Sequence, residues 1–172
     1  KNPEATAAAI DRDGWFHTGD AGYLKDSHLY LTERIKDLFK TSNGKYISPQ
    51  ALETKLAIDR YIDQIAVIAD ERKFVSALIV PVYGFVKDYA KEKGIAYSNM
   101  DELLQHSKIQ ALFRARIDTL QQQFAHYEQV KRFTLLTEPF SMERGELTNT
   151  LKLKRSVVAK NYKGLIDKMY EE

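Results

Sequence analysis

The 172-residue sequence contains no cysteine. That excludes disulfide cross-links, thiolate zinc sites and cysteine nucleophiles at once. An excess of one charge is missing too: 26 Lys and Arg against 24 Asp and Glu leave a formal +2. A balance so close to neutral removes the usual electrostatic basis for a dedicated nucleic-acid binder, and no nucleic-acid partner is expected. No apolar run approaches the ~18 to 20 residues of a membrane span, and no basic-then-apolar leader opens the sequence. His17, His28, His106 and His126 show no metal-ligand spacing, so no metal site is expected. A phosphate loop at Gly44–Lys45 fails because Phe39 stands where the Walker pattern needs glycine, and Tyr46 replaces the required Ser or Thr. Internal repeats, low-complexity segments and a Gly-x-Ser-x-Gly elbow are also lacking.

What remains is an ordinary globular composition, 44% hydrophobic and 29% charged. The length suits one domain or slightly more. The sequence opens at Lys1 rather than Met and soon runs into strongly patterned residues. It therefore reads as a piece of a longer polypeptide.

Small residues over 1–10 suggest a short helix. From Asp13 on, glycines punctuate aromatic and apolar residues, the pattern of short strands and tight turns. Tyr23–Leu24 and Leu29–Leu31 predict a hairpin around a four-residue loop, Lys25 to His28. A second hairpin is predicted around Asn43–Gly44, where both turn positions are expected at positive φ. Ser48 caps a helix opened by Pro49, with Ala51, Leu52 and Leu56 on its buried face. The near-continuous apolar runs Ile65–Ala69 and Val75–Val80 read as strands covered on both faces. A helix stopped by Gly94 follows, then one capped at Ser98 or Asn99. A long amphipathic helix carries Ile109, Phe113, Ile117, Leu120 and Phe124. Val130–Leu136 is the last strand. Val157–Tyr170 is a closing helix with Val158, Tyr162, Leu165 and Met169 inward.

Three stretches stand out together: DGWFHTGDAGYL at 13–24, TERIKDLFKTSNGKYISPQALE at 32–53, and ELTNTLKLKR at 146–155. Taken alone, each key residue has a plain reading. Lys152 would be a solvated lysine in a basic run and Asp20 a turn aspartate. Arg34 would form a surface ion pair with Glu33 or Asp37. Lys45 and Tyr46 would be solvated neighbours of an Asn-Gly turn.

In this order, however, the three stretches resemble the adenylate-forming superfamily: acyl-CoA synthetases, luciferases and peptide-synthetase adenylation domains. Thr18–Gly19–Asp20 is similar to that family's ribose motif. Residues 34–53 are similar to its hinge and following hairpin, and Thr148-x-Thr150–Leu151–Lys152 to its C-terminal lysine motif. The wording most resembles the long-chain fatty acid–CoA ligases, which share Leu151 where the superfamily usually has glycine.

The resemblance implies a two-step reaction whose substrates are a fatty acid, ATP with Mg²⁺, and coenzyme A. Lys152 would be the catalytic cation beside the α-phosphate, with Asp20 and Arg34 holding the nucleotide and Lys36 serving as hinge. Gly44, Lys45 and Tyr46 would face coenzyme A, while Glu53 would hold its helix against the hairpin. The implied fold class is α+β. Residues 1–35 would end a large N-terminal AMP-binding domain, and 36–172 would form a lid with a β-hairpin, a three-stranded sheet and packed helices. That N-terminal domain is itself an implied partner. The phosphate loop and acyl pocket lie upstream in the family, so the chain alone is expected to be inactive. The implied location is cytoplasmic, with peripheral membrane contact left open. Alternatives are a ligase for another carboxylic acid, a fatty acyl-AMP ligase, and a non-catalytic α+β interaction module.

Overall fold

The computed structural model describes residues 2–171, the side chain of Glu33 lying outside that description. The chain divides into two compact units, Lys1–Leu38 and Phe39–Glu172.

The first unit holds helix α1 (Pro3–Ala9) and a two-stranded ribbon of β1 (Asp20–Lys25) and β2 (His28–Arg34). Asn2 caps α1 by accepting the Ala5 N–H. The expected four-residue hairpin loop is instead a two-residue turn. Lys25 pairs with His28, and both Asp26 and Ser27 take positive φ, the geometry that follows strand twist. A bulge between Ala21 and Gly22 brings the ribbon so close that a Cβ on Gly22 would lie 2.6 Å from the Tyr30 carbonyl oxygen. None of the described residues of this unit is buried. Trp15, Phe16, Leu24, Leu29 and Leu31 are all well exposed. A 3₁₀ turn at Ile35–Asp37 ends the unit.

The second unit is α+β, as expected. A short ribbon, β3 (Phe39–Lys40) with β4 (Tyr46–Ile47), leads into α2 (Pro49–Leu56). Only Gly44 of the Asn43–Gly44 pair takes positive φ, correcting the expected two-residue turn. Ser48 caps α2 by accepting the Ala51 N–H; Leu52 and Leu56 are buried, but Ala51 is exposed. Strands β5 (Ile62–Ile68), β6 (Val75–Pro81) and β7 (Val130–Leu135) form a sheet in the order β5-β6-β7. The first pair is antiparallel and the second parallel. The parallel step has room for α3 (Tyr83–Glu92), α4 (Met100–Gln105) and α5 (Ser107–Leu120).

Both sheet faces are covered, which explains the unbroken apolar runs. Alternate residues Ile65, Val67, Ala77 and Ile79 join a core with Leu52, Leu56, Val86, Leu103, Ile109, Phe113 and Ile117. Their neighbours Ala66, Leu78 and Val80 join a second core with Phe140, Val158, Ile166 and Met169. Asn99, not Ser98, caps α4. Glu102 reaches back to the Ser98 N–H, one residue before the cap, satisfying a further backbone donor. The amphipathic helix stops at Leu120, so Phe124 packs from beyond its end. The closing helix breaks at Tyr162 into α6 (Arg155–Asn161) and α7 (Lys163–Lys168). Ile166 lies inward and Leu165 at the surface, correcting the expectation that Leu165 faces inward. No described helix is long and apolar enough to cross a membrane.

Candidate active-site residues

In the first unit, Asp20 and Arg34 are register partners at the open end of the ribbon. Arg34 Nε lies 2.9 Å from Asp20 Oδ1, and its guanidinium also donates to the Thr18 carbonyl at 3.1 Å. The expected ion pair is with Glu33 or Asp37; the Glu33 side chain lies outside the described residues, and the pair described is with Asp20. Gly19, at φ +76, turns the chain so that the Asp20 N–H meets Thr18 Oγ1 and the Ile35 N–H meets the Gly19 carbonyl. The result is an acceptor and a forked donor held side by side. That pair suits a diol or a phosphate edge. Lys36 is exposed within the 3₁₀ turn, two residues before the unit boundary.

In the second unit, Gly44, Lys45 and Tyr46 sit together on the β3–β4 ribbon, all exposed. The ribbon is tied to the β5–β6 turn: Ser42 N–H donates to the Arg72 carbonyl and Glu71 N–H to the Lys40 carbonyl. Lys45 Nζ stands 5.5 Å from the Tyr127 ring centre and Lys40 Nζ 5.9 Å from that of Tyr46. This end of the unit therefore presents cations beside aromatic faces.

Lys152 lies on a separate loop, and that loop repeats the first one. In Thr41–Lys45, the Thr41 N–H donates to the Lys45 carbonyl, the Gly44 N–H to the Thr41 carbonyl, and the Lys45 N–H to Thr41 Oγ1. In Thr148–Lys152, the Thr148 N–H donates to the Lys152 carbonyl, the Leu151 N–H to the Thr148 carbonyl, and the Lys152 N–H to Thr148 Oγ1. The residue before each lysine is left-handed: Gly44 at φ 74 and Leu151 at φ 59. Both are turns closed by a left-handed residue and a threonine hydroxyl. Leucine at this φ costs about 1–2 kcal/mol. Its side chain lines a groove of about 440 Å³ with Ala57, Ile65, Phe140, Leu147 and Leu153.

Two carboxylates clamp the base of the lysine loop. Glu146, fully buried, accepts from Arg144 Nε, Asn161 Nδ2 and the Ser141 N–H, while its own carbonyl accepts the Lys154 N–H at 2.7 Å. Burial pushes its pKa up, but the hydrogen bonds from Arg144, Asn161 and Ser141 outweigh it and hold the group below the ordinary carboxylate value. On the far side, Glu53 takes both arms of Arg155, with Nη2 at 2.6 Å from Oε2. Glu53 also accepts the Val67 N–H at 2.8 Å, on the strand at the edge of the sheet. Glu53 is structural, as expected, but it binds β5 and the lysine segment rather than the hairpin. Sequence reasoning missed Glu146 as an anchor, since it reads as one more charge in a polar turn. Its only signal is its place among Leu147, Leu151 and Leu153, an apolar stretch able to bury a neighbour.

Lys152 itself is exposed, its side chain set by backbone rather than by packing. Among the described residues no group of three or more His, Asp or Glu side chains is placed to hold a metal ion.

A family model described as the AMP-binding enzyme C-terminal domain matches residues 36–172. Among curated proteins, long chain acyl-CoA synthetase 7, peroxisomal, of Arabidopsis thaliana is 35% identical over all of this chain and 25% of its own length. Long-chain-fatty-acid–CoA ligase 5 of Rattus norvegicus is 36% identical over 99% of this chain and 26% of its own. The chain thus spans about a quarter of the length of the relatives it matches. Among solved structures, the adenylation domain of a carboxylate reductase from Mycobacterium chelonae superposes with a TM-score of 0.77 at 26% identity, covering 100% of this chain and 25% of that one. The fold is therefore shared with a solved adenylation domain, and the chain belongs to the AMP-binding enzyme C-terminal domain family.

Proposed function

We propose that this chain is the C-terminal part of a long-chain fatty acid–CoA ligase, with a boundary near residue 35 between the end of an AMP-binding domain and a lid. The observation that carries the reading is the exposed Lys152 on a clamped turn, in a chain whose relatives are named as acyl-CoA synthetases. In the first step a carboxylate oxygen of the fatty acid attacks the α-phosphorus of ATP, taken as its Mg²⁺ complex. The bond to the bridging oxygen breaks, and acyl-AMP and pyrophosphate form. Negative charge gathers around the α-phosphate as this happens. Lys152 supplies a compact cation that stabilises the transition state more than the ground state. Asp20 accepts from the ribose hydroxyls, and Arg34 both orients Asp20 and donates to the nucleotide.

In the second step the coenzyme A sulfur attacks the acyl carbonyl carbon. The bond to AMP breaks, and the thiol proton leaves to solvent. Gly44 allows close backbone approach, and Lys45 with Tyr46 meets the coenzyme's phosphate and adenine end. Lys36 is the hinge between the two steps, an exposed position able to change φ and ψ without disturbing a core. The proposed location is cytoplasmic with peripheral membrane contact. Because one relative is named as peroxisomal, cell fractionation is the deciding observation.

The test uses the whole protein. Lys152→Ala should cut ATP–pyrophosphate exchange at least ~100-fold while sparing thioester formation from supplied acyl-AMP. Equal loss of both half-reactions would count against the role given to Lys152. The 172-residue chain alone should show no exchange.

A further inference from the structure

We infer that Thr148 is the positioning residue for Lys152, holding it through the backbone; this rests on the adenylation role proposed for Lys152 above. Lys152 is exposed, so no packing fixes where its ammonium points. Its direction is inherited from its Cα, and both backbone polar groups of Lys152 are held by one residue. The Thr148 N–H reaches the Lys152 carbonyl at 2.8 Å, and Thr148 Oγ1 takes the Lys152 N–H at 3.0 Å.

Leu151 explains why that second bond matters. At φ 59 it occupies a conformation that a Cβ disfavours, whereas the matching residue of the twin loop, Gly44, enters it freely. The glycine loop makes the same threonine bond but carries no Cβ strain at its left-handed residue. The leucine loop needs something to hold the strained residue, and the bond from the Lys152 N–H to Thr148 spans it directly. Thr150 Oγ1, 3.0 Å from Thr148 Oγ1, gives that hydroxyl a second hydrogen-bond partner and helps fix its position. Without the hydroxyl, Leu151 relaxes toward negative φ and the Cα–Cβ direction of Lys152 rotates. An ammonium four carbons further out then swings through several ångströms. A charge aimed at a transition state loses most of its effect on such a displacement.

The experiment compares Thr148→Val, which keeps the branched shape, with Thr148→Ser, which keeps the hydroxyl, in the whole protein. Pyrophosphate exchange should fall about tenfold in Thr148→Val, with the thioester step from supplied acyl-AMP unchanged, and Thr148→Ser should restore exchange. In the whole protein the Lys152 amide should lose hydrogen-exchange protection in Thr148→Val and keep it in Thr148→Ser. Exchange at the parent rate in Thr148→Val, parallel loss of both steps, or failure of serine to restore would each overturn the inference. Lys152→Ala run alongside separates the two claims. If it retains exchange, the adenylation role itself is wrong. If it abolishes exchange while Thr148→Val is unaffected, only the role of Thr148 falls.

Discussion

Arg155, three residues after Lys152, closes a bidentate pair with Glu53 across 102 positions of sequence. Its guanidinium also stands 5.5 Å from the Phe39 ring centre. One side chain therefore joins the hairpin's first strand, α2 and the lysine segment. Glu53 is 15% exposed and Arg155 28%, so removing either leaves its partner partly desolvated and unpaired. Arg155→Leu should destabilise the second unit by about 2 kcal/mol, as should Glu53→Gln. The double variant should cost less than the sum, which urea unfolding of all four proteins would measure.

Glu146 makes the lysine loop acid-sensitive. Its pKa is lower folded than unfolded, so the folded protein binds fewer protons there. The stability it contributes is present in full above the ordinary carboxylate value of ~4.3, and is lost as pH falls through the depressed folded value. Glu146→Gln should lower stability at pH 7 by about 1–3 kcal/mol and flatten the acid limb of the urea midpoint between roughly pH 5 and 3. A midpoint that drops as steeply in the variant as in the parent would remove Glu146 as the cause.

Gly44 tests backbone strain without steric conflict. A Cβ there would meet nothing within 4 Å, yet φ is +74. Gly44→Ala should therefore cost about 1–2 kcal/mol, all of it conformational. In the whole protein, it should impair the coenzyme A step while leaving pyrophosphate exchange within about twofold. The two half-reactions, assayed separately, report this directly.

For the nucleotide, Asp20→Asn keeps size but halves the acceptor capacity facing a diol, and Arg34→Leu removes the fork that orients Asp20. Each should weaken AMP binding to the whole protein by about tenfold, measured by titration calorimetry. Because Arg34 Nε lies 2.9 Å from Asp20, the effects should be non-additive, with the double variant barely worse than either single one.

Much of the second unit is legible in the chain itself. The runs Ile65–Ala69 and Val75–Val80 announce strands buried on both faces, and Ser48–Pro49 and the Ser98–Asn99 pair announce helix starts, the structure choosing Asn99 as the cap. Features that depend on distant partners are not. The break at Tyr162 carries no proline, and beyond it Ile166 rather than Leu165 reaches the second core. The two-residue turn at Asp26–Ser27 needs two left-handed residues where the sequence offers no glycine. Among the candidate site residues, Asp20, Arg34, Lys152 and the Gly44 loop are proposed from motif wording. The pairing of Asp20 with Arg34 and the twin geometry of the two lysine loops do not, because spacing along the chain says nothing of which hydroxyl meets which N–H.

The parallel pairing of β7 with β6 carries a consequence for how the molecule is made. Antiparallel β5 and β6 are joined by a short turn and close quickly, whereas β7 must wait for α3, α4 and α5 to be laid across the gap. The Lys152 loop lies beyond β7 in the chain, and its anchors reach back to Glu53 and into the sheet edge. On the ribosome the hairpin bearing Lys45 emerges before the segment bearing Lys152. A nascent chain halted before residue 146 would carry the residues of the first lysine loop and lack those of the second, so the cation proposed for adenylation is absent until the segment beyond β7 is made.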